Sequence, residues 1–190
     1  MEKLKSVDLK EISFEIESLN SPDHPYIGTQ VETPDWQCAH GSKIETGYRI
    51  NHHSFSQALS SLFTVHNETV NVWTHLLGCL FFIGTLVIVA MQDHQVPVWP
   101  LFIHAAGSIS MLALSTTYHL FYVCSQSHYV RLQNADYAGI AIMIASSTTP
   151  PFYYGFMCSE KMYWRCLWLG QVYICCMIAL CVTLAPTKRI

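Results

Sequence analysis

Leu114-Ser115-Thr116-Thr117-Tyr118-His119-Leu120-Phe121 closes one long apolar run, and Asp136 opens the next. Ser115 and His119 stand at i and i+4, so on a helix they share one face. If both runs cross a bilayer, the connection at 125–134 returns the chain to the surface it left. Ser115, His119 and Asp136 then meet at one depth, just inside the lipid. Ionisable groups at that depth are costly and mark functional positions. The plain alternative is that His119 and Asp136 only mark the polar ends of two spans.

The composition supports spans. Hydrophobic residues make up an ordinary 51% of the 190, but charged residues only 12%, about half the usual fraction. Between positions 73 and 156 the charged side chains are Asp93, Arg131 and Asp136. Such charge-poor stretches predict membrane-crossing helices. The net charge of -3 argues against nucleic acid as a partner, because the basic footprint is missing. The eight cysteines do not read as a disulfide framework. Cys79, Cys175, Cys176 and Cys181 fall in apolar runs, where a thiol behaves as a small hydrophobe. No CxxC spacing suggests a zinc finger. Cys158 and Cys166 flank one short connection and would pair only in an oxidising compartment.

Working outward, the expected fold is an all-α membrane protein with spans at about 73–91, 99–124, 135–156 and 164–184. Trp73 anchors the first at the interface. Ala105, Ala106, Gly107, Ser108 and Ser110 give the second a surface for close helix packing, with His104 as a lone polar packing residue. Pro150-Pro151 predicts a kink or an end to regular helix in the third. Phe152, Tyr153, Tyr154 and Phe156 then suit the far interface.

Residues 1–50 read as a cytosolic, partly disordered tail, in which 20–37 is broken by Pro22, Pro25, Gly28 and Pro34 and reads as linker. No apolar h-region marks a secretory signal. Residues 51–72 form an interfacial segment. Phe55, Ala58, Leu59, Leu62 and Phe63 follow one helical face, which predicts a short amphipathic helix at the membrane surface. The polar stretch His66-Asn67-Glu68-Thr69-Val70-Asn71-Val72-Trp73-Thr74-His75 leads into the first span, with Thr69 or Asn71 as the expected cap. Asn67-Glu68-Thr69 is a glycosylation sequon, usable only on a lumenal face. With the N-terminus inside, Arg49, Arg131, Lys188 and Arg189 lie on inner flanks and Lys161 and Arg165 on outer ones, which favours that orientation. His66, Glu68, His75, Ser115, His119 and Asp136 then gather near the cytosolic surface.

A catalytic zinc needs about three protein ligands and an open water position. His119 is a candidate ligand, Asp136 a candidate to ligate or orient the bound water, and Ser115 a hydrogen-bond partner for that water or a substrate carbonyl. His75 joins only if the first span approaches the second at this depth. A zinc-bound water with a pKa near ~7 would be the nucleophile. A Ser-His-Asp hydrolase is the other catalytic reading, but Ser and His on one helix leave no evident oxyanion hole.

Three linked stretches carry a family resemblance: the polar run from His66 to His75 with Leu76-Leu77-Gly78, then Ser115-Thr116-Thr117-Tyr118-His119-Leu120-Phe121, then Asp136-Tyr137-Ala138-Gly139-Ile140. In order and spacing they resemble the N-terminal signatures of the progestin and adipoQ receptor (PAQR) family, which includes adiponectin receptors, membrane progestin receptors and haemolysin III-like proteins. The resemblance covers roughly 50–185. It implies a seven-helix membrane protein with a cytosolic N-terminus, of which this chain carries four helices. It implies zinc as cofactor, His119 as a metal ligand, Asp136 holding the zinc-bound water, and Ser115 beside them. The family completes that site with a His-x-x-x-His pair in its last span. This chain ends at Ile190 without one, so the site reads as incomplete and the chain as truncated.

The function implied is an integral membrane receptor for a hormone or lipid, in the plasma membrane or an internal one. One alternative is a zinc-dependent lipid amide hydrolase, ceramidase-like, once the C-terminal histidines are supplied. The other is a non-catalytic scaffold paired with a full-length membrane-protein relative.

Overall fold

The computed structural model describes residues 26–38, 43–157 and 162–185. Two short strands come first, β1 (Ile27–Thr29) and β2 (Thr46–Arg49), paired antiparallel with Ile27 opposite Arg49 and Gly28 opposite Tyr48. The register shifts between Gly28 and Thr29. Gly47 stands opposite that shift with φ +86°, a left-handed conformation that glycine adopts without a Cβ penalty. The bulge aims the Gly47 carbonyl at the Asn67 N–H, 2.8 Å away.

The sequence reads as linker over 20–37. The described part of that stretch is instead ordered into β1 and the 3-10 turns Gln30–Glu32 and Asp35–Gln37. Prolines and a glycine punctuate the chain, but long-range contacts hold it: Gln37 Nε2 donates to the Arg49 carbonyl at 2.7 Å, and the Trp36 ring meets Tyr129 edge-on at 5.9 Å.

The interfacial segment forms α1 (Phe55–Ser60) and a 3-10 turn, Ser61–Phe63. Ser54 and Gln57 cap α1 reciprocally, as S-x-x-Q predicts. Ala58 is fully buried against Tyr122 and Val123, while Phe55, Leu59 and Phe63 are exposed.

Four long helices follow: α2 (Thr69–Ala90), α3 (Trp99–Phe121), α4 (Gln126–Gly155) and α5 (Met162–Leu184). Among the described residues, three segments are long and apolar enough to cross a membrane: α2, α3 with its following turn (Trp99–Cys124), and α5. Their large side chains face outward; Leu77, Phe81, Ile88, Ile174, Met177 and Val182 are all exposed. Helices apolar on their outer faces suit lipid rather than water.

Packing runs between sequence neighbours, α2 on α3, α3 on α4 and α4 on α5, most extensively at α3–α4. The small residues of α3 make that crossing close. A Cβ added at Gly107 would run into the Ser146 side chain, and one at Gly139 would lie 3.2 Å from the Met111 Cα. The helix boundaries differ from expectation in two places. α4 begins at Gln126, where Ser125 accepts a hydrogen bond from the His128 N–H at 3.2 Å, so the expected connection at 125–134 is almost all helix. Pro150 and Pro151 lie inside α4, which ends at Gly155. The hydroxyls of Ser147, Thr148 and Thr149 bond back to the carbonyls of Ile144 and Ala145, in the turn before the prolines. Cys158, expected beside Cys166, lies outside the described residues, as do Lys161, Lys188 and Arg189.

Candidate functional site

The ends of α2, α3 and α4 that lie near the hairpin converge on a polar cluster. Its centre is His119, in the last turn of α3. The His119 Nδ1 lies 2.8 Å from Glu68 Oε2, and that oxygen also accepts from Asn71 Nδ2 at 2.6 Å. Glu68 is the N-cap residue of α2. Neither Thr69 nor Asn71 caps the helix as the sequence suggests. Asn71 holds the carboxylate, and the Thr69 hydroxyl accepts from the His66 N–H at 2.8 Å. Trp73 steadies the same turn by donating to the Leu62 carbonyl at 3.1 Å.

Of the other expected site residues, His75 is in ring contact with this pair. His75, two turns into α2, puts its ring centroid 5.8 Å from that of His119, and its buried Nδ1 has no hydrogen-bond partner. Asp136, in the first half of α4, is half-buried. Ser115 is buried at 3% exposure on α3, one turn before His119. His104 lies apart, its ring edge-on to Phe82 at 5.6 Å.

Arg49 is the residue that sequence reasoning undervalued. It was legible there as an orienting charge on an inner flank. In the fold it is 1% exposed. Its Nη1 donates to the Leu120 carbonyl at 2.9 Å and to Ser61 Oγ at 3.0 Å, and its Nη2 donates to the His119 carbonyl at 2.6 Å. Its guanidinium also lies over the Tyr122 ring, 5.4 Å from the centroid. A cation here answers the unsatisfied carbonyls and negative dipole end of α3. The bond to His119 crosses some seventy positions of sequence, so no local pattern could have revealed it.

Burial and these charges set the electrostatics outside the spans. Burial opposes ionisation of Glu68, but hydrogen bonds from His119 and Asn71 outweigh it and hold its pKa below the ordinary carboxylate value. Burial, reinforced by the Arg49 charge, pushes His66 down to about 4. Burial also lowers His52, with Arg49 and His53 acting the same way against a bond to the Ile50 carbonyl. Both rings are therefore neutral at neutral pH. The His66 Nδ1 accepts the Glu68 N–H at 3.1 Å, a role only the bare nitrogen can fill.

The donors present do not make a complete zinc site. Among the described residues, no group of three His, Cys, Asp or Glu side chains is placed to hold a metal ion. His119 has one ring nitrogen engaged by Glu68, which leaves Nε2 as the position for any ligand.

A cleft of about 370 Å³ lies farther along the helices. It is walled by Ile103 and Gly107 of α3, Ala145 and Ser146 of α4, and Tyr173 and Met177 of α5. The Tyr173 and Thr149 hydroxyls bond each other at 2.8 Å.

A family model described as Haemolysin-III related matches residues 63–189, which includes the helices carrying Glu68, His75, Ser115, His119 and Asp136. The chain belongs to the haemolysin-III related (PAQR) family. Like other members of that family, it is a multi-pass integral membrane protein. Its PAQR relatives include Heptahelical transmembrane protein 1 of Arabidopsis thaliana, 39% identical over 58% of this chain and 36% of the relative. The Adiponectin receptor protein of Drosophila melanogaster is 34% identical over 74% of this chain and 32% of the relative. Membrane progestin receptor alpha of Homo sapiens is 35% identical over 58% of this chain and 33% of the relative. The chain thus spans about a third of the length of these curated relatives.

Proposed function

We propose that the protein is a receptor-type PAQR membrane protein that senses a lipid or hormone ligand. The observation that carries this reading is that relatives named as adiponectin and progestin receptors align with much of the chain. The apolar cleft between α3, α4 and α5, polar only at points such as Ser146 and Tyr173, supports it as a place of the right character for such a ligand. In this reading α4 is a fourth span. At about 1.5 Å rise per residue it exceeds the ~30 Å hydrocarbon core, and it lies between two helices apolar enough to cross. Four spans then form part of a seven-helix arrangement, with the N-terminus and the His119 cluster on the cytosolic side. The exposed Phe55, Leu59 and Phe63 lie in the interfacial layer of the bilayer.

Zinc belongs to the same proposal in a restricted form. His119 is one ligand through Nε2, with Asp136 and Ser115 beside it, and the remaining ligands would be the His-x-x-x-His pair that the family resemblance implies. When bound, the metal would supply Lewis-acid chemistry at the membrane face. What this chain's own residues do is orient: Glu68 holds the His119 ring, and Arg49 holds the backbone that carries it.

The test is photolabelling of the full chain in lipid nanodiscs with a photoactivatable progestin and a photoactivatable ceramide. Saturable labelling, competed by the unlabelled compound and lost in Met177→Trp, which fills the cleft from its exposed side, supports the receptor reading. Unsaturable labelling by both probes overturns it. Release of fatty acid from the ceramide, abolished by His119→Ala, would instead favour the hydrolase. Co-purification of a longer relative without ligand binding would favour the scaffold.

A further inference from the structure

Glu68 and His119 are 51 positions apart in sequence, yet their side chains meet at 2.8 Å with 19% and 17% exposure. Each partner is held from its own side. Glu68 sits at the N-cap of α2, its N–H donates to His66 at 3.1 Å, and its Oε2 receives Asn71 at 2.6 Å. His119 has its carbonyl clamped by Arg49 at 2.6 Å and its ring flanked by Tyr118 at 5.0 Å and His75 at 5.8 Å. The contact is held from β2, from the stretch 66–75 that opens α2, and from the last turn of α3, rather than by the two side chains alone.

We propose that Glu68 is a positioning residue for His119, locking the imidazole in the tautomer that carries its proton on Nδ1 and leaves Nε2 bare. A carboxylate has no proton to give, so the hydrogen of this bond lies on the ring. The hydrogen bond made by one ring nitrogen sets the role of the other, and a carboxylate partner makes that other nitrogen a better electron-pair donor. The bare Nε2 is therefore presented toward an electron-pair acceptor, such as a divalent metal or the hydroxyl proton of a ligand. Use of that nitrogen rests on the function proposed above; the tautomer itself does not.

The test uses the full chain, labelled with nitrogen-15 histidine and reconstituted in nanodiscs. Long-range proton–nitrogen correlation spectra are recorded at mildly alkaline pH, and His119 is assigned from the signals lost in His119→Asn. The unmodified chain should show His119 with a protonated Nδ1 and a bare Nε2. Glu68→Leu should shift it to the Nε2–H tautomer. Where Glu68→Leu fails to fold, Glu68→Gln should show both tautomers, because an amide can accept from Nδ1 or donate to it. Asn71→Ala, which leaves the carboxylate in place, should keep the original tautomer. An Nε2–H tautomer or an imidazolium in the unmodified chain overturns the proposal. So does an unchanged spectrum in the folded Glu68 variants. A zinc titration of the same samples separates the two readings. A tautomer that responds to Glu68 in a chain that binds no zinc leaves the positioning role standing and removes the metal.

Discussion

The guanidinium of Arg49 donates to the carbonyl of His119 at 2.6 Å, so a cation from the N-terminal hairpin closes the end of the helix that carries the polar cluster. Replacing Arg49 by Met should remove three charge-assisted hydrogen bonds and expose the α3 carbonyls to an apolar neighbour. Such bonds contribute about 1.5–3 kcal/mol each and are not additive, so a net loss of roughly 3–5 kcal/mol is expected. Arg49→Lys should lose less, because the charge remains and only the fork is gone. Unfolding in mild detergent, followed by helical circular dichroism, measures both. Equal stability of Arg49→Met and the unmodified chain would contradict the clamp.

The α3–α4 crossing gives a second prediction. A methyl at Gly107 runs into the Ser146 side chain, so Gly107→Ala should destabilise by about 1–3 kcal/mol through overpacking. Ser146→Gly removes the obstructing atoms, and the double variant should recover most of that loss. The interaction energy of the cycle is the readout. Additive losses would mean that the helices do not cross here.

Acid should weaken the junction between the hairpin and the membrane helices. His66 and His52 both have folded pKa values depressed by burial and by Arg49, His66 from 6.5 to about 4. The folded state thus binds fewer protons than the unfolded one below pH 6.5. The His66 contribution to stability is fully present above pH 6.5 and is lost as the pH falls toward about 4, and His52, depressed too, acts in the same direction. Glu68, also depressed, adds in the same direction at the acid end. Melting temperature should fall across this window, and His66→Gln should flatten part of the slope. A melting temperature that rises on acidification would sink the prediction.

Topology is tested by glycosylation scanning. A sequon engineered at 92–98 should be modified, while Asn67 and a sequon placed ahead of Ile27 should stay unmodified. The reverse pattern would place the His119 cluster on the lumenal side.

Much of the architecture was legible in the chain because its signals are local. Long charge-poor runs predict α2, α3 and α5, and Ser54 with Gln57 announces the start of α1. The small residues of α3 announce a close crossing, though not that Ser146 would be the neighbour. The i, i+4 spacing places Ser115 and His119 on one face. Other features were misread for the same reason. Punctuation by Pro22, Pro25, Gly28 and Pro34 signals a linker when only neighbours are considered. The polar run 126–134 suggests a loop, although Ser125 caps a helix there.

The sequence by itself determined that the chain is a helical membrane protein and which polar side chains stand near the ends of its spans, since apolar periodicity and charge density act over a few turns. It also carried the motifs through which the family is recognised. Only the tertiary structure decided what those side chains do to one another. It turned Arg49 from a surface charge into a buried helix clamp, and it assigned Glu68 to His119. Those pairings join segments fifty to seventy positions apart, and a hydrogen bond depends on distances of a few tenths of an ångström that only packing of the helices can set.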